Sequence, residues 1–430
     1  MEMKRYLVLF LVAVMTTAAI LSGCNSASTT GQPNASTTTA QTQSSTTPEP
    51  AEPVTLEYWT WLANDDAVAA FNESHPGITV EKVQMSHADI NAKLLIALSA
   101  GTGAPDIYTT THRYFTQFKM SDQMYDMTTD VGDLIGGYPE SLQALVSKDG
   151  KLYGLPADVS PSVFWYRSDI FEQYNIQIET FDDIMAAGEI LKEDGIYILP
   201  VFNPAGGWGA NALGMLLGSR GGNYFNEDGT VIKNNKDLEV VLTFLNDLRT
   251  KEYGESLTFF TPEFWGEFKA GNVAGWIMNV AEGANIKKNF PELSGKWSVM
   301  ATPRWADKDQ AYSGVWGGTV LSVPDQSENK EQATEFVKWL AGTVEGQVWA
   351  GKTWNAVPAL TAAYDDPFFS QGDPYFSDVC VYNVINPTQS FFYYNWAQTE
   401  TLVGEKLDLM FAGKATPIDT ARAIEEAISG

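Results

Sequence analysis

The sequence predicts an α/β fold in which mostly parallel β-sheets are covered by helices. Strand and helix patterns alternate from residue 54 onward, and the first five elements follow the order strand, helix, strand, helix, strand. That order is typical of sheets whose neighbouring parallel strands are linked by helical crossovers. The chain of 430 residues is long enough for about two to three domains, each with its own hydrophobic core.

Each of the first five elements is predicted from a local pattern. Alternating apolar and polar residues indicate strands, whereas apolar residues spaced three or four apart indicate helices. The predicted elements are a strand at 54–58, a helix at 65–73, a strand at 78–83, a helix around Ile90, Leu94, Leu95 and Leu98, and a strand from Asp106. Pro and Gly residues within 75–77 and 101–105 end the two helices.

Three later helices follow from the same spacing rule, and we expect their apolar faces to pack in the core. The last of them begins with Thr416-Pro417-Ile418-Asp419, a capping residue followed by Pro at the first helical position. The apolar positions are Leu238, Val241, Leu242, Leu245 and Leu248 in the first helix, Ala333, Phe336, Val337 and Leu340 in the second, and Ala421, Ile424 and Ile428 in the third.

The N-terminal residues predict export. Lys4 and Arg5 precede an apolar run at 6–21, which is shorter than the roughly 20 residues that a membrane span prefers. A basic start, a short apolar stretch and small residues at a cleavage position are typical of a signal peptide, here residues 1–23. The Leu21-Ser22-Gly23-Cys24 motif resembles the lipobox of bacterial lipoproteins, which implies lipidation of Cys24.

Residues 24–53 are expected to form a lipidated cysteine followed by a flexible tether. After Cys24 the segment consists mainly of Ser, Thr, Ala, Gln, Gly and Pro. Such a composition buries too little apolar area to offset the entropy of an ordered chain. The anchored protein would lie on the outer face of the cytoplasmic membrane, as in Gram-positive bacteria, with the lipid as its membrane contact.

Composition excludes several classes of function. With 53 acidic and 27 basic residues, the formal charge of −26 disfavours binding to nucleic acids and to anionic lipid. Two cysteines supply neither a disulfide scaffold nor a Cys-rich zinc site, and we expect no metal and no cofactor. The 13 Trp residues are unusual for an acidic soluble chain, and the function should account for them.

Short motifs occur in a characteristic order along residues 54–430. They are LEYWTW (56–61), FNESHPGITV (71–80), LSAGTGAPDI (98–107), DGKLYGLP (149–156), WYRSD (165–169), TFDDI (180–184), FKAGNVA (268–274) and EQATEFVKWL (331–340). Together, behind a lipobox, they resemble bacterial extracellular solute-binding proteins of ABC sugar importers, the group that includes maltose-binding protein. Each motif is weak alone, and their shared order carries the resemblance.

The resemblance implies a two-lobed, periplasmic-binding-protein-like fold of type II, each lobe a mostly parallel sheet flanked by helices. Hinge crossings are expected near Asp158, Gly314 and Thr361. The N-lobe would contain residues 54–157 and 314–361, and the C-lobe residues 158–313 and 362–430. The resemblance also implies a monomer that binds rather than converts its ligand, in a cleft between the lobes.

The expected ligand is an oligosaccharide, with a plant-derived one as the working guess, and the expected protein partners are ABC permease subunits. Sugars present hydroxyl groups at their edges and C–H groups on their faces, so planar polar side chains and aromatic rings bind them. The candidate contacts are Trp59, Trp61, His112, Arg113, Asp158, Asn203, Trp208, Asn279, Glu282, Trp316, Trp354 and Tyr393. Trp265, Trp297, Trp305, Trp339 and Trp349 are assigned to packing.

Three other classes of function remain as alternatives. A secreted glycoside hydrolase would need a carboxylate pair about 5–9 Å apart, for which Asp158 and Glu282 are available. A ferric-ion carrier would use adjacent tyrosines such as Tyr393-Tyr394, although the surrounding aromatic residues suit stacking better than a hard cation. Residues 207–212 fit the G-x-G-x-x-A pattern of dinucleotide sites, but the bulky Trp208 would crowd a pyrophosphate.

Overall fold

The computed structural model describes residues 52–203 and 208–430. The predicted signal peptide, Cys24 and the tether up to residue 51 lie outside the described residues. In the part that is described, no helix combines the length and the apolar character that crossing a membrane requires.

The strands and helices are numbered in chain order. The strands are β1 (Val54–Thr60), β2 (Ile78–Gln84), β3 (Ile107–Thr111), β4 (Ser147–Lys148), β5 (Lys151–Leu152), β6 (Leu155–Pro156), β7 (Asp158–Val159), β8 (Ser162–Arg167), β9 (Leu199–Phe202), β10 (Gly254–Leu257), β11 (Gly275–Asn279), β12 (Trp297–Ala301), β13 (Thr319–Ser322) and β14 (Val357–Pro358). The helices are α1 (Asp65–Ser74), α2 (His87–Ala100), α3 (His112–Lys119), α4 (Thr128–Val131), α5 (Glu140–Val146), α6 (Ser168–Gln173), α7 (Phe181–Lys192), α8 (Gly209–Ser219), α9 (Lys236–Thr250), α10 (Pro262–Ala270), α11 (Glu282–Asn289), α12 (Lys330–Gly342), α13 (Val344–Trp354), α14 (Trp396–Phe411) and α15 (Pro417–Ala427).

The elements predicted from periodicity are confirmed. The first five form β1, α1, β2, α2 and β3, and the three later apolar stripes lie on α9, α12 and α15. Their apolar positions are mostly buried, as expected for core faces. The predicted cap of α15 is also present, because the Thr416 hydroxyl accepts a hydrogen bond from the Asp419 backbone N–H at 3.2 Å.

The first lobe is built on a five-stranded mixed sheet with the order β2-β1-β3-β13-β6. Strand β1 pairs in parallel with β2 and β3, as the strand–helix alternation predicts. Strand β13 arrives from far along the chain and pairs antiparallel with β3 and β6. The carboxyl end of β3 leads directly into α3, so the first residues of α3 lie at the edge of this sheet.

The second lobe differs from the expected mostly parallel sheet. Strand β8 lies between β11 and β12 and is antiparallel to both, while β9 and β10 form a separate parallel pair. The crossover rule predicts parallel order only for strands that are joined by a helix and also pair with each other. Strands β11 and β12 instead both pair with β8, which precedes them by more than a hundred residues. The crossover rule therefore makes no prediction about the direction of these pairs.

Two large hydrophobic cores define the lobes, and the chain passes between them three times. One core uses residues between 56 and 157 and between 320 and 360, and the other uses residues between 163 and 305 and between 375 and 424, with Val357. Near the crossings β7 pairs with β14, and Pro161 forms a bridge with Val315. The lobe boundaries given above stay a prediction.

Candidate functional site

A buried carboxylate ties the three crossing segments together. Asp158, which is 4% exposed, accepts hydrogen bonds from the Thr319 backbone N–H at 2.7 Å and the Trp354 indole N–H at 2.7 Å. Ser160 and Trp316 join the first two segments further, because the Trp316 N–H donates to the Ser160 carbonyl at 2.9 Å. Burial raises the pKa of Asp158, and these donors oppose the rise. Asp158 and Trp354 therefore hold the crossing segments together, and both carboxylate oxygens of Asp158 already accept hydrogen bonds.

The histidine at the start of α3 packs against the glycine-rich segment that follows Trp316. The His112 backbone N–H donates to the Gly318 carbonyl at 3.0 Å. A Cβ atom at residue 318 would lie 2.4 Å from His112 Cε1, so only glycine allows this approach. Burial, followed by the charge of Arg113, lowers the pKa of His112 to about 3, and its Nε2 atom has no hydrogen-bond partner in residues 52–203 and 208–430. His112 is therefore neutral at physiological pH.

Arg113 links the first lobe to a pair of indole rings. Its guanidinium is buried, and Nη1 donates to the Trp316 carbonyl at 2.5 Å, whereas Nε has no hydrogen-bond partner in the described part of the chain. The Trp316 ring stacks on Trp208 with centroids 5.8 Å apart and planes 24° apart. Phe260 contacts the other indole, Trp208, edge to face at 5.5 Å. Both Trp rings stay partly exposed, so an aromatic surface remains accessible beside a buried cation.

A direct hydrogen bond joins the two lobes. The Tyr114 hydroxyl on α3 donates to Glu400 Oε2 on α14 at 2.9 Å. The Tyr393 hydroxyl is buried and makes no hydrogen bond to any residue that the structure describes. Burial raises the pKa of Tyr393 to about 12, while the Arg113 charge opposes the rise. We refer to this set of side chains from both lobes as the inter-lobe cluster: Arg113, Tyr114, Trp208, Trp316, Tyr393 and Glu400.

Trp61 reaches the inter-lobe cluster through a histidine. Strand β1 ends at Thr60, so Trp61 lies just beyond it. Its ring contacts His87 edge to face at 5.0 Å, and His87 contacts Tyr114 at 5.1 Å. Burial, together with the nearby Arg113 charge, lowers the pKa of His87 to about 3. This aromatic row therefore extends the cluster along the first lobe without adding a charge.

Glu282 and Asn279 form a second polar group on the second lobe. Glu282 is 7% exposed, and its Oε2 accepts from Asn285 Nδ2 at 2.8 Å. Burial raises the pKa of Glu282 to about 7, and hydrogen bonds from Asn285 and Asn279 oppose the rise. Asn355, next to the third crossing, donates to the Val280 carbonyl at 2.7 Å and ties this group to the crossing segments.

Trp59 and Asn203 make hydrogen bonds to residues outside the inter-lobe cluster. Trp59 is 8% exposed, packs in a small core beneath α2, and donates its indole N–H to Glu57 Oε1 at 2.9 Å. Asn203 is exposed and donates to Thr258 Oγ1 at 3.3 Å. The environment of Trp59 is that of a core residue.

The structure also adds residues that the sequence did not single out. Glu400 and His87 enter the site through long-range contacts, which no local pattern encodes. Phe260 has a φ of 67°, a left-handed conformation that is uncommon for a bulky side chain and often marks a functional site. Tyr114 directly follows the candidates His112 and Arg113 in the sequence, and its contact with Glu400 arises only in the folded chain.

Comparisons with known proteins agree with this architecture. The chain is 26% identical over 350 residues to an arabinooligosaccharide-binding protein of Halalkalibacterium halodurans, and the matched residues make up 75% of each protein. It is 24% identical over 411 residues to the sn-glycerol-3-phosphate-binding periplasmic protein of Shigella flexneri, covering 85% of this chain and 90% of the relative.

The fold matches a solved ABC transporter binding protein from Bifidobacterium longum, the galacto-N-biose-/lacto-N-biose I-binding protein in complex with lacto-N-biose. The TM-score is 0.75 at 21% identity, over 88% of this chain and 97% of that one. The family model for bacterial extracellular solute-binding proteins matches residues 61–347, more than half of the chain. The two-lobed fold, the motif order and this match lead to one conclusion: the chain belongs to the bacterial extracellular solute-binding protein family.

Proposed function

We propose that this protein captures an oligosaccharide between its two lobes and delivers it to the permease subunits of an ABC importer. The observation that carries the proposal is the inter-lobe cluster, in which aromatic rings and buried polar groups from both lobes meet. A ligand that contacts both lobes at once favours the closed arrangement of a hinged protein.

The chemistry of the cluster suits a saccharide. The indole faces of Trp208 and Trp316 match the C–H faces of sugar rings. Arg113 Nε, His112 Nε2 and the Tyr393 hydroxyl are buried and have no hydrogen-bond partner among the described residues. An unsatisfied buried polar group costs about 1–3 kcal/mol, so sugar hydroxyls that reached these atoms would recover part of that energy.

Relatives support the same ligand class. The arabinooligosaccharide-binding relative is named for a saccharide, and the structural neighbour contains lacto-N-biose. Uptake requires release as well as capture, so we expect moderate affinity, roughly micromolar, or about −8 kcal/mol. A plant-derived oligosaccharide remains our working ligand.

The proposal includes features that rest on the sequence. These are export with a signal peptide at 1–23, lipidation of Cys24 on the outer face of a Gram-positive cytoplasmic membrane, a monomeric state, and lobes divided near Asp158, Gly314 and Thr361. Among the candidate contacts, we assign ligand binding to Trp61, His112, Arg113, Trp208, Asn279, Glu282, Trp316 and Tyr393. Asp158 and Trp354 would act by holding the crossings.

A calorimetric screen of the purified protein against arabino-, cello-, xylo-, malto- and galacto-oligosaccharides tests the proposal. We expect saturable binding of at least one series, with a change in tryptophan fluorescence because indoles lie in the cluster. The absence of binding in every series would overturn the proposal. Appearance of shorter sugars after incubation would instead favour the hydrolase alternative, in which Asp158 and Glu282 are the acid–base pair.

A further inference from the structure

We propose that Glu400 makes the inter-lobe cluster electrically neutral and thereby selects uncharged saccharides over acidic ones. This inference rests on the proposed function, since it names the charge class of the ligand that the same site accepts. The known relatives leave the question open, because one is named for arabinooligosaccharides and another for sn-glycerol-3-phosphate, an anion.

The positive charge of the cluster is buried. Arg113 is 4% exposed, and the contact of its Nη1 atom is a neutral carbonyl, that of Trp316. A buried guanidinium without an opposite charge is costly and would attract an anionic ligand group. On its own, Arg113 would therefore favour acidic sugars such as uronates.

Glu400 supplies the opposite charge from the other lobe. Its carboxylate accepts a hydrogen bond at 2.9 Å from the hydroxyl of Tyr114, the residue next to Arg113. Burial raises the pKa of Glu400, whereas the Arg113 charge and the Tyr114 hydrogen bond oppose the rise and favour the ionised form. Burial raises the pKa of Tyr114, so the hydroxyl stays protonated and serves as the hydrogen-bond donor to Glu400. The hydrogen bond holds the carboxylate in place beside the cluster.

Three other titratable groups near Arg113 carry no charge at neutral pH. Both neighbouring histidines, His87 and His112, have a pKa of about 3, and Tyr393 has a pKa of about 12. Within the part of the chain that the structure describes, the formal charges at this place are thus one guanidinium and one carboxylate. An acidic ligand would meet Glu400 as a like charge, a juxtaposition that costs several kcal/mol, whereas a neutral sugar would leave the pair intact.

The test measures a ratio of affinities. Calorimetry would compare the neutral oligosaccharide that binds in the screen with oligosaccharides of similar length that contain uronic acids, for the wild type and for E400Q. We expect the wild type to bind the neutral ligand at least about tenfold more tightly, and E400Q to reduce that preference at least about tenfold. E405Q is the matched control, because Glu405 lies exposed on the same helix, and it should keep the wild-type ratio.

The outcomes separate the two proposals. A wild type that prefers uronates, or an E400Q variant with an unchanged ratio, would overturn the role of Glu400 and leave saccharide binding intact. Binding of neither ligand class would overturn the proposed function and this inference with it. The wild-type ratio also tests the charge preference by itself if E400Q does not fold.

Discussion

At the level of single residues, aromatic side chains in this protein divide into packing roles and proposed binding roles according to their neighbours. Trp297, Trp305 and Trp339 are buried, which confirms their assignment to packing. Trp208 and Trp316 remain partly exposed and stack on each other. The excess of Trp is therefore shared between the cores and the space between the lobes.

A pair of substitutions should separate these roles. Trp59→Ala removes a ring that packs in a small core under α2, so it should lower the free energy of unfolding by about 3–5 kcal/mol. Trp208→Ala removes a partly exposed ring and should weaken saccharide binding about tenfold or more, with a smaller effect on stability. Urea unfolding and calorimetric titration of both variants measure the two effects. A Trp208→Ala variant that binds like the wild type would contradict the site assignment.

The buried carboxyl group of Glu282 should make stability depend on pH. Its pKa in the folded protein is about 7, above the ordinary value near 4.3, so the folded state binds this proton more tightly than the unfolded chain. The stability contributed by the protonated form is complete below about pH 4 and is lost as the pH rises through 7. The Glu282→Gln variant stays neutral, so its stability relative to the wild type should increase by roughly 3 kcal/mol between pH 4 and pH 8.

Urea unfolding at several pH values measures this difference for Glu282→Gln. The Glu345→Gln variant, at an exposed position on α13, provides the baseline. If the two variants show the same difference from the wild type at every pH, burial does not hold a proton on Glu282.

At the level of whole elements, the sequence predicted what is local. Apolar spacing gave α9, α12 and α15, and alternation gave β1 and β2, because each pattern reflects which face of one element is buried. Pairing between distant strands has no such local signal. The antiparallel contacts of β8 with β11 and β12 therefore differ from the expected parallel order.

In the candidate site, too, contacts between distant parts of the chain could not be predicted from local sequence patterns. Arg113 and Trp208 could be found because each follows shortly after a predicted strand. Glu400 could not, because it lies within α14 and acquires its role only when α14 meets α3 across the lobes. Asp158 was found, but its hydrogen bonds to Thr319 and Trp354 show that it holds the crossings.

The contact between α3 and α14 should influence how far the lobes open. Tyr114→Phe removes the hydroxyl that bonds Glu400, a hydrogen bond to a charged group that is worth about 1.5–3 kcal/mol. We expect the ligand-free variant to sample more open arrangements, with a larger radius of gyration by small-angle X-ray scattering and an affinity reduced about tenfold.

Tyr125→Phe is the matched control for this prediction. The Tyr125 hydroxyl donates to Asp130 Oδ2 at 3.0 Å, a similar bond that lies within the first lobe. Its loss should change stability without changing the radius of gyration. Equal scattering curves for wild type, Tyr114→Phe and Tyr125→Phe would show that the bond between α3 and α14 does not control opening.

At the level of the whole molecule, the formal charge of −26 and the neutral inter-lobe cluster should respond differently to salt. A large net charge destabilises the compact state by self-repulsion, and salt screens that repulsion. The free energy of unfolding should therefore increase between about 20 mM and 500 mM NaCl, a range over which the Debye length falls several-fold.

The affinity for an uncharged saccharide should change less than about twofold, because such a ligand has no charge for the protein's field to act on. Urea unfolding and calorimetry at both salt concentrations measure the two responses on one preparation. A strong loss of affinity for the uncharged saccharide with salt would mean that unbalanced charges of the protein take part in binding, and it would contradict the balance between Arg113 and Glu400.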